Sequence, residues 1–229
     1  MEAIENRDVL AAINRMREYR AHGQVKPIGV TNPTTSKFED LEKRGIYKRY
    51  WHSTFAEIEQ RGIPGQVRSE YSRVKNYAAH MAENVENGVG MILKGPVGTM
   101  KTSLAVAILQ QYLQEGGSGL FVPMANLLDN LFTMKESNRA EWVAYEEKIR
   151  STGILILDDL GAEYHQEWVI SKVDAIISER YNRMRPIIVT TNMSAAEIKG
   201  KYAERIYDRL KSTSLVINFD GASLREAVV

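Results

Sequence analysis

The chain has 229 residues, 44% hydrophobic and 26% charged, with a formal net charge of +1; this composition excludes a disordered or fibrous chain, and its near-neutral balance supplies no bulk field for a polyanion. It contains no cysteine and only four histidines, which excludes disulfides, thiolate chemistry and a tetrahedral zinc set, so any metal would be held by oxygen. No apolar run approaches the ~20 residues of a membrane-spanning helix, and the acidic start MEAIENRDVL is unlike a signal peptide, so a cytoplasmic protein with no membrane partner is expected.

The length suits one globular domain of about 170 to 190 residues behind a small N-terminal appendage. Residues 6–22 carry Val9, Leu10, Ile13 and Met16 at helical spacing, and Gly23 follows as a stop signal, so the pattern predicts a short amphipathic helix. Its stripe could be buried on a partner or on the chain's own domain. The Gly-, Pro-, Asn- and Thr-rich stretch 23–37 reads as a linker, which puts the boundary between an N-terminal part, 1–44, and the main domain, 45–229.

Residues 43–52 interleave base and ring (Lys43, Arg44, Tyr47, Lys48, Arg49, Tyr50, Trp51, His52). That combination tracks phosphates and stacks bases; the other reading is a segment packed on the core. Residues 66–84 place Val67, Tyr71, Val74, Tyr77, Ala78 and Met81 on one face and predict a packed helix ending at Asn87-Gly88. Strand-like runs then alternate with helical patterns: Met91–Lys94, Leu120–Val122, Ile154–Asp158, Pro186–Thr190 and Leu215–Phe219. Continuous apolar runs such as ILIL at 154–157 suit strands buried on both faces, so the expected fold class is α/β, a doubly wound parallel sheet of five strands.

The first of those strands runs into Gly95-Pro96-Val97-Gly98-Thr99-Met100-Lys101-Thr102-Ser103 and then a helix. Strand, glycine-rich loop and helix are the context of a Walker A phosphate-binding loop, in which backbone N–H groups and the helix N-terminus face the phosphates of a nucleotide such as ATP. Residues 95 to 103 are therefore the predicted nucleotide contacts. Lys101 would supply charge to the β/γ oxygens, and the Thr102 hydroxyl a ligand for Mg²⁺. The pattern asks for glycine immediately before the lysine, and Met100 stands there, so a side chain sits where the loop is normally bare and weaker nucleotide binding is expected.

Ile154–Leu157 ends in Asp158-Asp159, as a buried strand delivering acids to the sheet's carboxyl edge would. Asp158 is the expected Mg²⁺ ligand through water, and Asp159 the group that orients or deprotonates an attacking water. Asn192 follows the next strand, where its amide could sense the γ-phosphate or simply form a turn. Ser194 and Glu197 read as a capping box. Residues 201–211 predict one helical segment with Arg205 and Arg209 a turn apart, for which i,i+4 pairing on a solvated face is an adequate account of Arg205. A second basic and aromatic stretch, Lys135 to Arg150, holds Arg139, Trp142, Tyr145 and Lys148, diluted by Glu136, Glu141, Glu146 and Glu147.

Taken together, GPVGTMKT (95–102), LILDDLGAE (155–163), IIVTTN (187–192), ERIYDRL (204–210) and FDGASLR (219–225) resemble the DnaC and IstB branch of the AAA+ ATPases, in order and over about residues 45–225. The resemblance implies the AAA+ strand order, a sensor role for Asn192, an arginine finger at Arg209 given to a neighbouring copy's γ-phosphate, and a second sensor at Arg225. It also implies a P-loop domain without a full helical lid. The branch holds loaders of the hexameric replicative helicase, which bind single-stranded DNA, and helpers of transposition, which act on duplex DNA. Asp159, where the helpers usually have glutamate, and the ERIYDRL phrase are more similar to the loaders. The loaders bind the helicase through their N-terminal part, which makes the helix at 6–22 the candidate contact. A third reading is a non-hydrolysing adaptor whose nucleotide site Met100 has degraded.

Overall fold

Five short apolar runs pair edge to edge into one parallel sheet because their flanking segments are helical and can only return the chain in the same direction. The structure, a computed structural model, describes residues 37–127, 138–162 and 167–224. The helix expected over 6–22, the linker up to residue 36, residues 135–137 of the second basic stretch, and Arg225 lie outside the described residues.

The strands are β1 (Gly90–Lys94), β2 (Gly119–Pro123), β3 (Ile154–Asp158), β4 (Ile187–Thr191) and β5 (Ser214–Asn218). Their order is β2-β3-β4-β1-β5, with every pairing parallel. Every residue of β3 and β4 is buried, as strands covered on both faces must be. Alternation then sorts the side chains. Met91, Leu93, Ile154 and Ile156 point into one core, and Ile92, Leu155, Leu157 and Val189 into the other.

The first core is filled by α5 (Lys101–Gln114), whose Leu104 to Leu109 are all buried. Outside α5 lie α1 (Lys37–Lys43), α2 (Phe55–Gln60), α3 (Arg68–Ala79) and α4 (Met81–Asn87). Leu41 of α1 is buried in this same core, and the Phe121 N–H donates to Arg44 O at 2.8 Å, fastening the segment to β2. The helix expected as continuous from 66 to 84 is broken at His80, whose backbone (φ −113°, ψ 31°) leaves the helical region. Tyr77 O accepts the His80 N–H at 3.2 Å and Asn84 Nδ2 at 2.9 Å, so the carbonyl at the break stays satisfied. The apolar face continues across the break, so periodicity alone did not register it.

The second core is covered by α6 (Arg139–Ser151), α7 (Glu167–Asn182), α8 (Ala195–Tyr202) and α9 (Glu204–Ser212). The capping box at Ser194 and Glu197 is present in both directions. The single helical segment expected over 201–211 is two helices, turned at Ala203 with φ 82°, a conformation that favours glycine. In the last turn of α7, facing the end of α6, sits Arg180, fully buried. Its guanidinium donates to Ile149 O, Thr152 O, Gly153 O and Pro186 O at 2.8, 3.0, 3.2 and 2.8 Å. These carbonyls lie where α6 ends and where β3 and β4 begin, and Pro186 O also accepts the Leu155 N–H at 3.4 Å. Burial pushes its pKa down to about 9, so it remains cationic at neutral pH.

Candidate functional site

In the sheet β3, β4 and β1 are consecutive, which brings the loops after their carboxyl ends together at one edge. The loop after β1 comes close to the chain's last described segment. A Cβ on Gly95 (φ 150°) would meet Phe219 O at 2.1 Å, and Leu224 N donates to Gly98 O at 2.9 Å. Met100 has φ 69° and ψ 4°, the left-handed backbone that explains why glycine is the usual residue there. Its side chain is half-buried, packing on the core below while bordering the cleft above.

The Lys101 ammonium lies in the cradle of the loop, donating to Gly95 O at 2.7 Å, Pro96 O at 2.6 Å and Asn192 Oδ1 at 2.8 Å. Asn192 Nδ2 in turn donates to Asp159 Oδ1 at 3.1 Å. One amide therefore joins the loop lysine to the second acid. Asp158 is buried beneath them, near enough to the Thr102 side chain for that group to favour its anion. Burial raises the Asp158 pKa; the hydrogen bond from Thr190 and the nearby Thr102 side chain oppose the rise, Asp159 adds to it and Lys101 lowers it. Asp159 is exposed, with φ 58°.

Sequence reasoning passed over Thr190, whose hydroxyl donates to Asp158 Oδ1 at 2.7 Å and accepts from Asp159 N at 2.8 Å. The strand register pairs Leu157 with Val189, so Asp158 and Thr190 are the next step along neighbouring strands. A threonine two residues before Asn192 was the available signal.

These residues border an open cleft of about 340 Å³, lined also by Val97, Thr99, Ser103, Arg49, Tyr50 and Leu224. Gln110 Nε2 on α5 donates to the carbonyls of Tyr50, Trp51 and Ser53 at 3.2, 3.2 and 3.3 Å. Trp51 is stacked on Phe38 at 4.9 Å, with the Lys48 ammonium 5.7 Å from its ring. The basic and aromatic stretch 43–52 is thus tied to the core beside the cleft, with the indole occupied within the protein. In α6, Arg150 pairs with Glu146 at 3.6 Å and Lys148 Nζ donates to Lys43 O at 3.3 Å.

Arg209 is not at this cleft. It lies on α9, bonded to Asp174 and Ser178 of α7. Among the described residues no three His, Cys, Asp or Glu converge on a point, so a cation beside Thr102 and Asp158 would take its remaining ligands from phosphate and water. Hard oxygen donors, one anionic, fit Mg²⁺ in that setting. No helix among the described residues is long and apolar enough to cross a membrane.

A parallel sheet in the order 2-3-4-1-5, with a phosphate loop after β1 and paired acids after β3, defines a P-loop ATP-binding protein of the AAA+ class. The chain belongs to the IstB-like ATP binding protein family, whose model matches residues 51–228, and so to the DnaC and IstB branch of that class. It is 26% identical over 168 residues to the replicative helicase loader DnaC of Escherichia coli K12, covering 72% of this chain and 66% of that protein. It is 32% identical over 146 residues to the insertion sequence IS21 ATP-binding protein of Pseudomonas aeruginosa, covering 62% of this chain and 54% of the relative. The match therefore spans between half and two thirds of these relatives' length. The crystal structure of the DnaC helicase loader superposes with a TM-score of 0.67 at 23% identity, covering 76% of this chain and all of the other, a likeness of fold.

Proposed function

We propose that this chain is a cytoplasmic ATPase that loads a hexameric replicative helicase onto single-stranded DNA. The observation that supports nucleotide chemistry most strongly is the linked set Lys101, Asn192 and Asp159 above the Thr102 and Asp158 pair. The loader assignment rests on the similarity to the E. coli helicase loader.

In this reading ATP enters with its phosphates against the N–H groups of residues 98 to 102 and the N-terminus of α5. The Lys101 ammonium exchanges Gly95 O and Pro96 O for β/γ oxygens, moving little because the cradle already surrounds it. Thr102 and Asp158 would hold Mg²⁺, which would supply positive charge against the phosphoryl oxygens. Asp159 orients the attacking water and accepts its proton, and Asn192 holds the Asp159 carboxylate in place. Arg209 of a neighbouring copy and Arg225 of the same chain complete the charge around the γ-phosphate. A lone subunit therefore hydrolyses slowly, since a finger supplied in trans is worth roughly 10³ to 10⁵ in rate. DNA and nucleotide bring copies together, and hydrolysis releases them.

A second reading, a transposition helper acting on duplex DNA, draws on the similarity to the IS21 protein. The experiment that tests the first is to mix the chain with the replicative helicase of its source. A stable complex that depends on nucleotide is expected. A helicase ignored under every nucleotide condition, with duplex bound in preference to single strands, would replace the loader reading by the second.

A further inference from the structure

Arg205 and Arg209 lie one turn apart on α9 and reach the same carboxylate on α7. Arg205 Nη2 donates to Asp174 Oδ2 at 2.5 Å, and Arg209 Nη1 to Asp174 Oδ1 at 3.2 Å. Ser178, one turn further along α7, donates to Asp174 Oδ1 at 3.1 Å and accepts from Arg209 Nη1 at 2.6 Å. The Arg209 guanidinium also lies 6.0 Å from the Tyr181 ring. One carboxylate thus serves two guanidinium groups, so the cluster keeps a surplus positive charge at a partly exposed position. An ion pair that merely fastened two helices would need one cation. Among the described residues the hydrogen bonds of Arg209 are made by Nη1, which leaves Nε–H and one Nη2–H side by side along the other edge of the fork.

We infer that Asp174 and Ser178 are positioning residues for Arg209. They anchor its guanidinium through a single nitrogen, Nη1, and so leave the Nε/Nη2 edge clear of Asp174, in the planar geometry that takes two phosphate oxygens at once. Arg205 occupies the second carboxylate oxygen, which stops Arg209 from turning its whole fork onto Asp174. This inference rests on the reading of Arg209 as a finger donated to a neighbouring copy's nucleotide. It adds the device that orders the finger before that neighbour arrives, so that the contact forms without first restricting a long, flexible side chain.

The test is phosphate release from ATP with single-stranded DNA present, comparing wild type, Asp174→Ala, Ser178→Ala and Arg209→Ala. Each is measured alone and mixed with Lys101→Ala chains, which carry an intact finger but a disabled loop. Asp174→Ala is expected to lower kcat on the order of 10- to 100-fold, the scale of a misplaced catalytic group, with nucleotide affinity of the lone chain unchanged. Ser178→Ala lowers kcat less and, as the milder change, keeps the test available if Asp174→Ala folds poorly. Mixing with Lys101→Ala restores activity in all three, because the neighbour then supplies an ordered finger. If Arg209→Ala is restored and Asp174→Ala and Ser178→Ala are not, or if those two equal wild type, the positioning role is wrong. If Arg209→Ala itself is not restored, the finger reading fails, and the role of Asp174 and Ser178 fails with it.

Discussion

Thr190 Oγ1 donates to Asp158 Oδ1 at 2.7 Å, and the same oxygen accepts the Asp159 N–H at 2.8 Å. A single hydroxyl on β4 therefore fixes both members of the acidic pair, one by its side chain and one by its backbone. Thr190→Val keeps the shape and removes both bonds. It is expected to cost about 1–3 kcal/mol of stability, the scale of a buried polar group left unpaired. Mg²⁺-dependent phosphate release should fall more steeply than thermal stability, which a melting curve and a phosphate assay on the same preparation would compare.

Asp158 is buried, and its pKa lies above the ordinary carboxylate value because burial disfavours the anion. A raised folded-state pKa on an acid means that the folded chain binds protons more readily than the unfolded one. The ionised form therefore costs stability at neutral pH, and that cost disappears as pH falls below the unfolded value. Asp158→Asn is expected to melt higher than wild type at pH 7 without nucleotide, with the gap closing as pH drops through the raised range towards 4. Its Mg²⁺-dependent phosphate release should be lost at the same time. Equal melting points at pH 7 would show that the anion is not under strain.

Met100 carries the left-handed backbone of the loop at φ 69°, a conformation that costs a residue with a Cβ roughly 1–2 kcal/mol. Met100→Gly removes that cost and bares the loop, at the loss of some packing on the core. Nucleotide titration is expected to show binding a few-fold tighter in the glycine variant, in line with ~1 kcal/mol. Unchanged affinity would mean that the methionine does not obstruct the cradle and that any backbone strain is the same with and without nucleotide.

Arg180 stands under three strand and helix ends, bonded to four of their carbonyls, with no carboxylate partner in its hydrogen bonds. Removing it takes the guanidinium donors from all four carbonyls, of which Pro186 O keeps the Leu155 N–H, so Arg180→Leu is expected to cost about 3–5 kcal/mol by denaturant unfolding. Arg180→Lys should recover only part of this, because three donors on one nitrogen cannot reach acceptors that Nη1 and Nη2 serve from two positions.

Much of this architecture could be read from local signals. The apolar run ILIL ending in two aspartates, and a glycine-rich loop between a strand and a helix, each carry their meaning within ten residues, and the five strands fell within one residue of where patterning put them. What patterning missed is tertiary. The breaks at His80 and Ala203 leave the apolar stripe unaltered, so a period of 3.6 runs through them. Thr190 gains its role from the register between β3 and β4, which its place two residues before Asn192 only hints at, and Asp174 makes its contacts through the packing of α9 on α7, which no short window encodes. The stretch 43–52 had the composition of a nucleic-acid contact, but Gln110, Phe38 and Phe121 take up its backbone and rings.

The central claim is that Lys101, Asp159 and their neighbours turn over ATP in response to DNA. Phosphate release by wild type, Lys101→Ala and Asp159→Asn, with Mg²⁺, single-stranded DNA and the source's replicative helicase present, tests it most directly. Release that rises with single strands in wild type and is absent from both variants is the predicted result. No release from wild type, or equal release from all three, would contradict the account.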